Sequence, residues 1–376
     1  MTVTEEAHSP PASSERPRRS GAALLGFRAA WLGRFLLALF LFVGALQVMK
    51  TGAASLDILK SGGLLVKNAG STFGLGWLGA LLVLSGSPIA ASSLTLVAAD
   101  SISELQGFTM LTGSRLGAAF VVLLVAVIYA LRASGRGEKV KPVSTAVLAL
   151  ATTAVIYVPG SVIAYFLLKW EKFRGLELSF PAQFTDLVDF VYGGLIDRIE
   201  DLPALVLFAG GLGILLLSFK LIDTVLPEMS EEAIEQSRLG WLQRKWPMFG
   251  LGLLVALVTM SVSVALTVLV PLNAKGYVKR EAMLPYIMGA NITTLGDTLL
   301  AAFLLGSPAA VRIVLAGIIG TTIVSLILLA FFYEPVRKGI WKFQKAMVRS
   351  KPRLAAFTAG LFIVPIAVIG GSGLIG

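Results

Sequence analysis

The chain has 376 residues, of which 56% are hydrophobic and only 14% are charged, with a mean hydropathy of +0.82. Soluble domains carry about a quarter charged residues, so this composition excludes a soluble protein and indicates an integral membrane protein. The net charge of +10 does not indicate nucleic-acid binding, because the basic residues lie in short loops beside apolar runs, where they set orientation. The absence of cysteine excludes disulfides and thiolate metal sites.

The first thirty residues, 1–30, are polar and contain Pro and Arg, which predicts a disordered cytoplasmic tail. Seven long apolar runs follow, each close to the roughly 20 residues that a helix needs to cross the hydrocarbon core. They lie at about 35–49, 106–131, 143–168, 204–222, 282–305, 309–333 and 354–372. We therefore predict an all-α polytopic membrane protein with about seven spanning helices.

Two further apolar runs, at about 77–98 and 253–274, carry Ser, Thr, Gly or Pro in mid-run. Irregular backbone at membrane depth is tolerated only inside protein or beside a water-filled cavity. We therefore predict that each run is a re-entrant helical hairpin, broken near a Ser-x-Ser motif; two ordinary spans are the alternative. The serines of the two motifs are Ser85, Ser87, Ser261 and Ser263.

Both hairpins belong to an internal repeat. Residues 73–117 align without a gap on residues 249–293, an offset of 249 − 73 = 176, and about a dozen of the forty-five positions are identical. A repeat of this kind is typical of a duplicated membrane unit, with the substrate site where the two copies meet.

The charges beside the hairpins indicate that the two copies are inverted. The first hairpin exits into Asp100 and Glu104, whereas the second exits into Lys275, Lys279 and Arg280. With two hairpins and a cytoplasmic N-terminus, the basic clusters of the chain fall on the cytoplasmic side, as the orientation rule requires. If both runs spanned the membrane instead, two of these clusters would move outside.

The remaining segments complete the predicted organisation. A linker of mixed charge contains an interfacial amphipathic helix over about 184–199, and a basic segment with interleaved aromatic residues suits an anionic lipid surface. The predicted units are the first inverted repeat at 31–168, the linker at 169–203, the second inverted repeat at 204–333, the basic interfacial segment at 334–353 and a C-terminal transmembrane helix at 354–376.

Two ionisable residues inside the apolar runs are candidates for function, because such residues are costly in a membrane. Arg115 presents planar donors suited to an oxyanion such as phosphate. Asp297 would neutralise a coupling cation or pair with Arg115 across the interface between the copies. A purely structural Arg–Asp pair is the alternative.

Hydroxyl and amide groups near the breaks are candidates for ion binding. Exposed N–H groups at a half-helix attract an anion, while freed carbonyls and hydroxyl oxygens coordinate a cation such as Na⁺. The alternative is that small residues merely permit close helix packing. Further neutral ligands at this depth are Asn291, Thr293 and Thr294. A possible Na⁺ site is predicted at Ser261, Ser263, Asn291 and Thr294.

The sequence contains no zinc motif, no phosphate-binding loop for ATP and no catalytic triad, and its single histidine, His8, lies in the N-terminal tail. We therefore expect that the protein is not an enzyme and needs no cofactor beyond a coupling ion. Transport would be driven by an ion gradient, and the partners would be a small inorganic anion, Na⁺ and the lipid bilayer. The oligomeric state is left open.

Residues 84–87 and 260–263 read LSGS and MSVS, and residues 113–117 and 289–294 read GSRLG and GANITT. This pattern resembles the type II sodium/phosphate cotransporter family, in which each of two inverted repeats carries a QSSS hairpin motif and, about thirty residues later, a GANIGT-like motif. The spacing is 29 residues in both copies here. The stretch at 307–312, SPAAVR, is also similar to that family.

The chain departs from the family pattern at several positions. Leu84 and Met260 replace the motif glutamines, Gly86 and Val262 replace the middle serines, and Arg115 stands where the family has Asn. One hypothesis is that Arg115 supplies a fixed positive charge where relatives use a bound cation.

The resemblance implies Na⁺-dependent symport of inorganic phosphate or a related small anion by alternating access. It places the protein in the plasma membrane with a cytoplasmic N-terminus. The alternatives are a diverged relative that carries another solute, one coupled to protons through Asp297, and a non-transporting membrane scaffold or receptor.

Overall fold

A computed structural model of the chain describes residues 21–56, 66–132, 136–178, 182–225, 244–274 and 278–372. In these ranges the chain is helical, without strands, which confirms the predicted all-α fold. The first part contains α1 (Gly21–Ala54), α2 (Ala69–Val83), α3 (Ser87–Ala98), α4 (Glu104–Ala118), α5 (Phe120–Arg132), α6 (Arg136–Lys169), α7 (Glu171–Arg174), α8 (Ala182–Ile199) and α9 (Ala204–Val225). The second part contains α10 (Lys245–Thr259), α11 (Val262–Thr267), α12 (Leu269–Ala274), α13 (Arg280–Thr293), α14 (Gly296–Leu304), α15 (Pro308–Ala330), α16 (Tyr333–Val348) and α17 (Lys351–Ser372).

Seven helical stretches of the described chain are long and apolar enough to cross a membrane, and each coincides with one of the seven predicted runs. The stretches are Ala30–Ala54, Glu104–Arg132, Val140–Lys169, Ala204–Ile222, Arg280–Leu304, Pro308–Ala330 and Lys351–Gly371. Their number and apolar character are those of an integral membrane protein. The prediction of about seven spanning helices is confirmed in this sense.

The ends of the chain differ in part from the prediction. Helix α1 begins at Gly21, so the predicted tail is shorter than residues 1–30; the segment GAALLG at its start is rich in good helix formers. Residues 1–20 and 373–376 lie outside the described residues, as does Lys275 after the second apolar run. The segment predicted as an interfacial helix is helical, as α8, and its Tyr192 hydroxyl donates to the Phe40 carbonyl at 2.8 Å. Its location at the interface stays a prediction.

Both hydroxyl-rich runs are interrupted at the predicted place. Helix α2 ends at Val83 and is followed by Leu84 in a left-handed conformation with a φ of 56°. Helix α10 ends at Thr259 and is followed by Met260, also left-handed, with a φ of 45°. The two helices have equal lengths of 15 residues and both begin and end at matching positions of the repeat. The duplicated sequence therefore folds locally in the same way twice.

Two further interruptions differ from the prediction, which took 106–131 and 282–305 as continuous helices. The first run divides after Ala118 into α4 and α5, and the second divides after Thr293 into α13 and α14. In the second copy the Thr294 hydroxyl donates to the Asn291 carbonyl at 3.2 Å, a local bond that competes with the helical ladder. The helices that follow the breaks begin at matching positions of the repeat, Phe120 and Gly296, and the preceding helices end within one residue of matching positions.

Glycines bring the helices of each copy into backbone contact. A Cβ on Gly76 of α2 would lie 2.0 Å from the carbonyl oxygen of Met110 in α4. At the matching position a Cβ on Gly252 of α10 would lie 2.0 Å from the carbonyl oxygen of Tyr286 in α13. Only glycine fits at such an approach, which is how helices pack closely without a hydrophobic driving force in lipid.

The direction of these helix pairs follows from the order of their contacts. The contacts are Phe73 with Gly113 and Trp77 with Gly117 in the first copy, and Phe249 with Gly289 and Leu253 with Thr293 in the second. Because the contacts advance together along both helices, α2 runs parallel to α4 and α10 runs parallel to α13. The segment between the members of each pair therefore runs back along them.

Helix α15 connects the outer ends of the two copies. Arg312 in its first turns pairs with Glu104 at the start of α4. At the other end of α15, the Leu329 carbonyl accepts a hydrogen bond of 3.1 Å from Lys245 at the start of α10. A helix of 23 residues is about 35 Å long. The starts of α4 and α10 consequently lie at opposite ends of this helix.

Candidate functional site

Arg115 and Asp297 form a buried pair between the two copies. Arg115 lies in the last turn of α4 with 1% of its side chain exposed, and Asp297 lies in the first turn of α14 with 4% exposed. The Arg115 Nη2 atom is 3.8 Å from Asp297 Oδ1. The sequence analysis named both residues, and the structure brings them together.

Arg115 precedes the discontinuity between α4 and α5, and Asp297 follows the discontinuity between α13 and α14. The backbone stays right-handed helical at Ala119, Thr294 and Leu295, so both discontinuities are slight.

Thr298 connects the two charged groups through its hydroxyl. Arg115 Nη2 donates a short hydrogen bond to Thr298 Oγ1. Thr298 in turn donates to Asp297 Oδ1, from its backbone N–H at 2.5 Å and from its hydroxyl at 2.8 Å. The two charged groups are therefore linked mainly through the neutral Thr298 hydroxyl, since their direct N–O distance is 3.8 Å.

Several polar atoms of this cluster are buried without a hydrogen-bond partner among the described residues. They are Nε and Nη1 of Arg115, Oδ2 of Asp297 and Oδ1 of Asn291. The arginine alone leaves three N–H donors unused there. Each buried unsatisfied group costs about 1–3 kcal/mol, and more when it is charged, so this arrangement requires a polar occupant such as an ion, a ligand or water.

The neighbouring helix α6 supplies a neutral wall to the site. The Tyr157 hydroxyl donates to the Asn291 carbonyl at 2.7 Å, and the Asn291 amide donates to Thr153 Oγ1 at 3.1 Å. Tyr157 also interacts electrostatically with both Arg115 and Asp297. The site thus draws on α4, α6, α13 and α14, with Thr294 contributing its hydroxyl beside Asn291.

The predicted serines lie at the interruptions. Ser85 is half-buried and Ser87 is buried, at the end of the first break. Ser261 is half-buried, and its hydroxyl accepts a 3.3 Å hydrogen bond from Val264 N, which caps α11. The side chain of Ser263 lies outside the described part of the structure.

Both interruptions are close to the buried pair. A Cβ on Gly86, in the first break, would lie 3.0 Å from the carbonyl oxygen of Ser114, the neighbour of Arg115. Met260, in the second break, lines a cavity of about 100 Å³ together with Asp297. The hydroxyl of the predicted ligand Thr293 is instead bound to the Leu253 carbonyl at 2.8 Å, between α10 and α13.

Three residues of the site were not singled out from the sequence: Thr298, Tyr157 and Thr153. Thr298 directly follows Asp297, and Thr153 and Tyr157 lie four residues apart in an otherwise apolar run, which places both on one face of α6. Polar side chains at that spacing within a spanning helix were a usable signal.

The available oxygen ligands for a cation are mostly neutral. Within the described ranges no group of three His, Cys, Asp or Glu side chains comes together. A Na⁺ ion would therefore be held by hydroxyl, amide and carbonyl oxygens around Asn291 and Thr294, with Asp297 as the nearby negative charge. Such a Na⁺ site would depend on neutral oxygen ligands of the kind that broken helices provide.

The helices and the site define an all-helical integral membrane protein with a buried arginine–aspartate pair where two similar helix arrangements meet. Comparison with protein-family models, with curated proteins and with solved structures finds no match. The function is accordingly argued from the geometry of the site.

Proposed function

We propose that the protein is an ion-coupled secondary transporter for a small inorganic oxyanion, with phosphate as its substrate and Na⁺ as its coupling ion. The observation that carries the proposal is the buried guanidinium of Arg115, which keeps unused donors among the described residues. Planar charged N–H groups match the oxygens of a tetrahedral oxyanion. An ion of that class would satisfy the orphaned donors and offset their cost of burial.

The proposal includes two inverted repeats. Helix α4 of the first copy begins beside one end of α15, where Glu104 meets Arg312, and α10 of the second copy begins beside the other end, where Lys245 meets Leu329. Because α2 is parallel to α4 and α13 is parallel to α10, both helices of each copy begin at the same end. If α15 spans the bilayer, the two copies enter it from opposite faces. Inverted repeats with a site near their interface are typical of secondary transporters.

Each copy would contain a re-entrant hairpin. Helices α2 and α10 have 15 residues, or about 22 Å, which is short of the roughly 30 Å hydrocarbon core. Each is parallel to the spanning helix that follows it, so the intervening segment returns toward its starting face. Irregular backbone at Leu84 and Met260 would then lie at membrane depth, where freed polar groups beside a cavity can bind ions.

The packing suggests how such a carrier would move. Close glycine contacts join α2 to α4 and α10 to α13, so each copy behaves as a compact unit. The ion pair bridges from α4 to α14 and thus crosses between the units. Alternating access would consist of one unit rocking against the other around this pair.

Proton coupling is a second candidate that one observation favours. Asp297 Oδ2 is buried without a hydrogen-bond partner in the described part of the chain. Buried carboxylates of this kind form proton relays in transporters. Asp297 would then carry a proton with the substrate in place of Na⁺.

Uptake into proteoliposomes tests the function. We expect radiolabelled phosphate to accumulate under an inward Na⁺ gradient, and an Arg115→Met variant that remains folded to lose uptake. Arg34→Met, at an exposed position of α1, is the matched control and should transport normally. An imposed inward proton gradient, without Na⁺, tests the second candidate in the same vesicles.

The outcomes separate the possibilities. Uptake driven only by the proton gradient would replace Na⁺ by H⁺ as the coupling ion. The absence of uptake under either gradient, or normal uptake by folded Arg115→Met, would contradict the proposed function. Another oxyanion, such as sulfate, would be identified by its competition with labelled phosphate.

A further inference from the structure

A second cavity, of about 600 Å³, lies between α2, α6, α16 and α17 and is lined by apolar side chains. This volume is within the roughly 300–1,000 Å³ that small-molecule pockets occupy. The wall includes Trp77, Leu150, Val158, Phe343, Phe357 and Leu361. The cavity takes no part in the proposed transport site.

One polar atom distinguishes this cavity from a simple apolar gap. Trp77 Nε1 is buried and has no hydrogen-bond partner among the described residues, although Trp77 lines the cavity. Indole N–H groups in an apolar site normally find an acceptor. The cavity therefore fits a ligand that is largely hydrocarbon but carries an acceptor such as an ester carbonyl.

The rim of the cavity is basic. The face of α16 that carries Val336, Ile340 and Phe343 lines the cavity, and Gly339 lies at its exposed edge. The exposed Lys338 and Lys342 lie on the same helix, next to Gly339 and about one turn beyond it. Over residues 333–353 the sequence has seven Lys or Arg residues against one acidic residue. A negative headgroup is therefore favoured at this rim.

We propose that this cavity binds an anionic phospholipid. An acyl chain lies in the groove, an ester carbonyl accepts the Trp77 N–H, and the phosphate lies at the rim between Lys338 and Lys342. The lipid fills the space between α17 and the rest of the protein. Helix α17 leaves most of its apolar surface to the surroundings, since only 11% of its apolar window is buried inside the protein.

Quenching of tryptophan by brominated lipids tests the proposal directly. Trp77 is kept as the single tryptophan by replacing the other five with Phe, and the protein is reconstituted in phosphatidylcholine vesicles. A few mole per cent of acyl-brominated phosphatidylglycerol or phosphatidylcholine is then added. We expect Trp77 to be quenched far more by the anionic lipid.

A matched single-tryptophan protein serves as the reference. Trp170, at the end of α6, is 55% exposed and does not line the cavity. Its quenching should follow the bulk proportion of brominated lipid, with little difference between the two headgroups. Equal quenching of Trp77 by both lipids at low proportion would overturn the proposal, since it would mean ordinary contact with bulk lipid.

Two variants test the contacts. Because each basic residue near an anionic surface strengthens binding about fivefold, Lys338→Gln with Lys342→Gln should weaken the preference for phosphatidylglycerol by roughly 25-fold. Gly339→Phe should obstruct the rim without a clash, since nothing lies within 4 Å of its Cβ position. Gly360→Phe, at an equally open position of α17, is its control.

Two results with these variants would contradict the proposed lipid site. A headgroup preference that persists in the double Gln variant would remove the phosphate site. Undiminished quenching of Trp77 in folded Gly339→Phe would remove the groove. Neither result depends on phosphate transport, so the lipid site and the proposed function stand or fall separately.

Discussion

Arg115 is among the largest fully buried side chains of the described structure, and its surroundings determine what the protein can do. A charge in an apolar interior persists only with a partner of opposite charge and with hydrogen bonds. Asp297 and Thr298 provide these on one side of the guanidinium, while its other N–H groups have no partner among the described residues. Arg115 therefore forms a structural ion pair with Asp297 and still has N–H groups that can bind a ligand.

A double-mutant cycle tests the coupling of the pair. We expect Arg115→Met to lower the free energy of unfolding by about 3–5 kcal/mol, because it leaves Asp297 charged and alone. Arg115→Met combined with Asp297→Leu should cost less than the single change. Denaturation by sodium dodecyl sulfate in mixed micelles measures these differences. If the loss of unfolding free energy in the double variant equals the sum of the losses in the two single variants, the two residues do not interact.

The paired glycines allow a second test with an internal control. Gly76→Ala and Gly252→Ala each place a Cβ 2.0 Å from a carbonyl oxygen, and we expect each to cost about 1–3 kcal/mol or more through overpacking. Gly250→Ala, two residues from Gly252 in the same helix, has nothing within 4 Å. It should be neutral or stabilising by about 0.5–1 kcal/mol. Equal stability of all three variants would contradict the close packing.

At the scale of the elements, the left-handed residues Leu84 and Met260 define where the two broken helices turn. A left-handed conformation costs a residue with a Cβ about 1–2 kcal/mol, so the surrounding packing imposes it. The strain recurs at matching positions of both copies, and Met260 lines a small cavity together with Asp297. Strain of this kind concentrates at functional sites.

At each of these two positions, glycine and valine should change the unfolding temperature in opposite directions. Leu84→Gly should unfold at the wild-type temperature or above, since glycine adopts a positive φ without strain. Leu84→Val should unfold at a lower temperature, because a β-branched residue tolerates that conformation poorly. Met260→Gly and Met260→Val should behave in the same way. Thermal unfolding in detergent gives the order, and a reversed order would contradict the assigned turn.

At the scale of the whole molecule, the decisive property is the relative direction of the two copies. Contacts at the two ends of α15 place the starts of α4 and α10 far apart, and α13 runs parallel to α10. An inverted arrangement in the bilayer would put the site equally within reach of both faces. This symmetry is what alternating access requires.

Cysteine labelling measures this orientation on a background without native cysteine. Leu105 and Glu281 occupy matching positions at the starts of α4 and α13, and both are exposed. A membrane-impermeant maleimide should reach Leu105→Cys from one face of oriented vesicles and Glu281→Cys only from the other. Labelling of both from the same face would exclude the inverted arrangement.

Much of the architecture could be predicted from local sequence. The seven spanning helices follow from the length of apolar runs, and the two main breaks follow from polar residues within such runs. The breaks after Ala118 and Thr293 escaped prediction because each lies within a run that is long enough to cross the membrane as one helix. The ungapped repeat predicted that the copies would resemble each other, and the glycine contacts recur at matching positions.

The sequence by itself thus determined which segments are helical and where the two hydroxyl-rich runs are interrupted, because chain length in lipid and backbone hydrogen bonding are local requirements. Only the tertiary structure decided which groups meet. It brings Arg115 to Thr298, 183 residues away along the chain, Tyr157 to Asn291, and α17 to the wall of the cavity of about 600 Å³. These contacts depend on helix register and on close backbone approach between distant segments, and apolar periodicity carries no information about either.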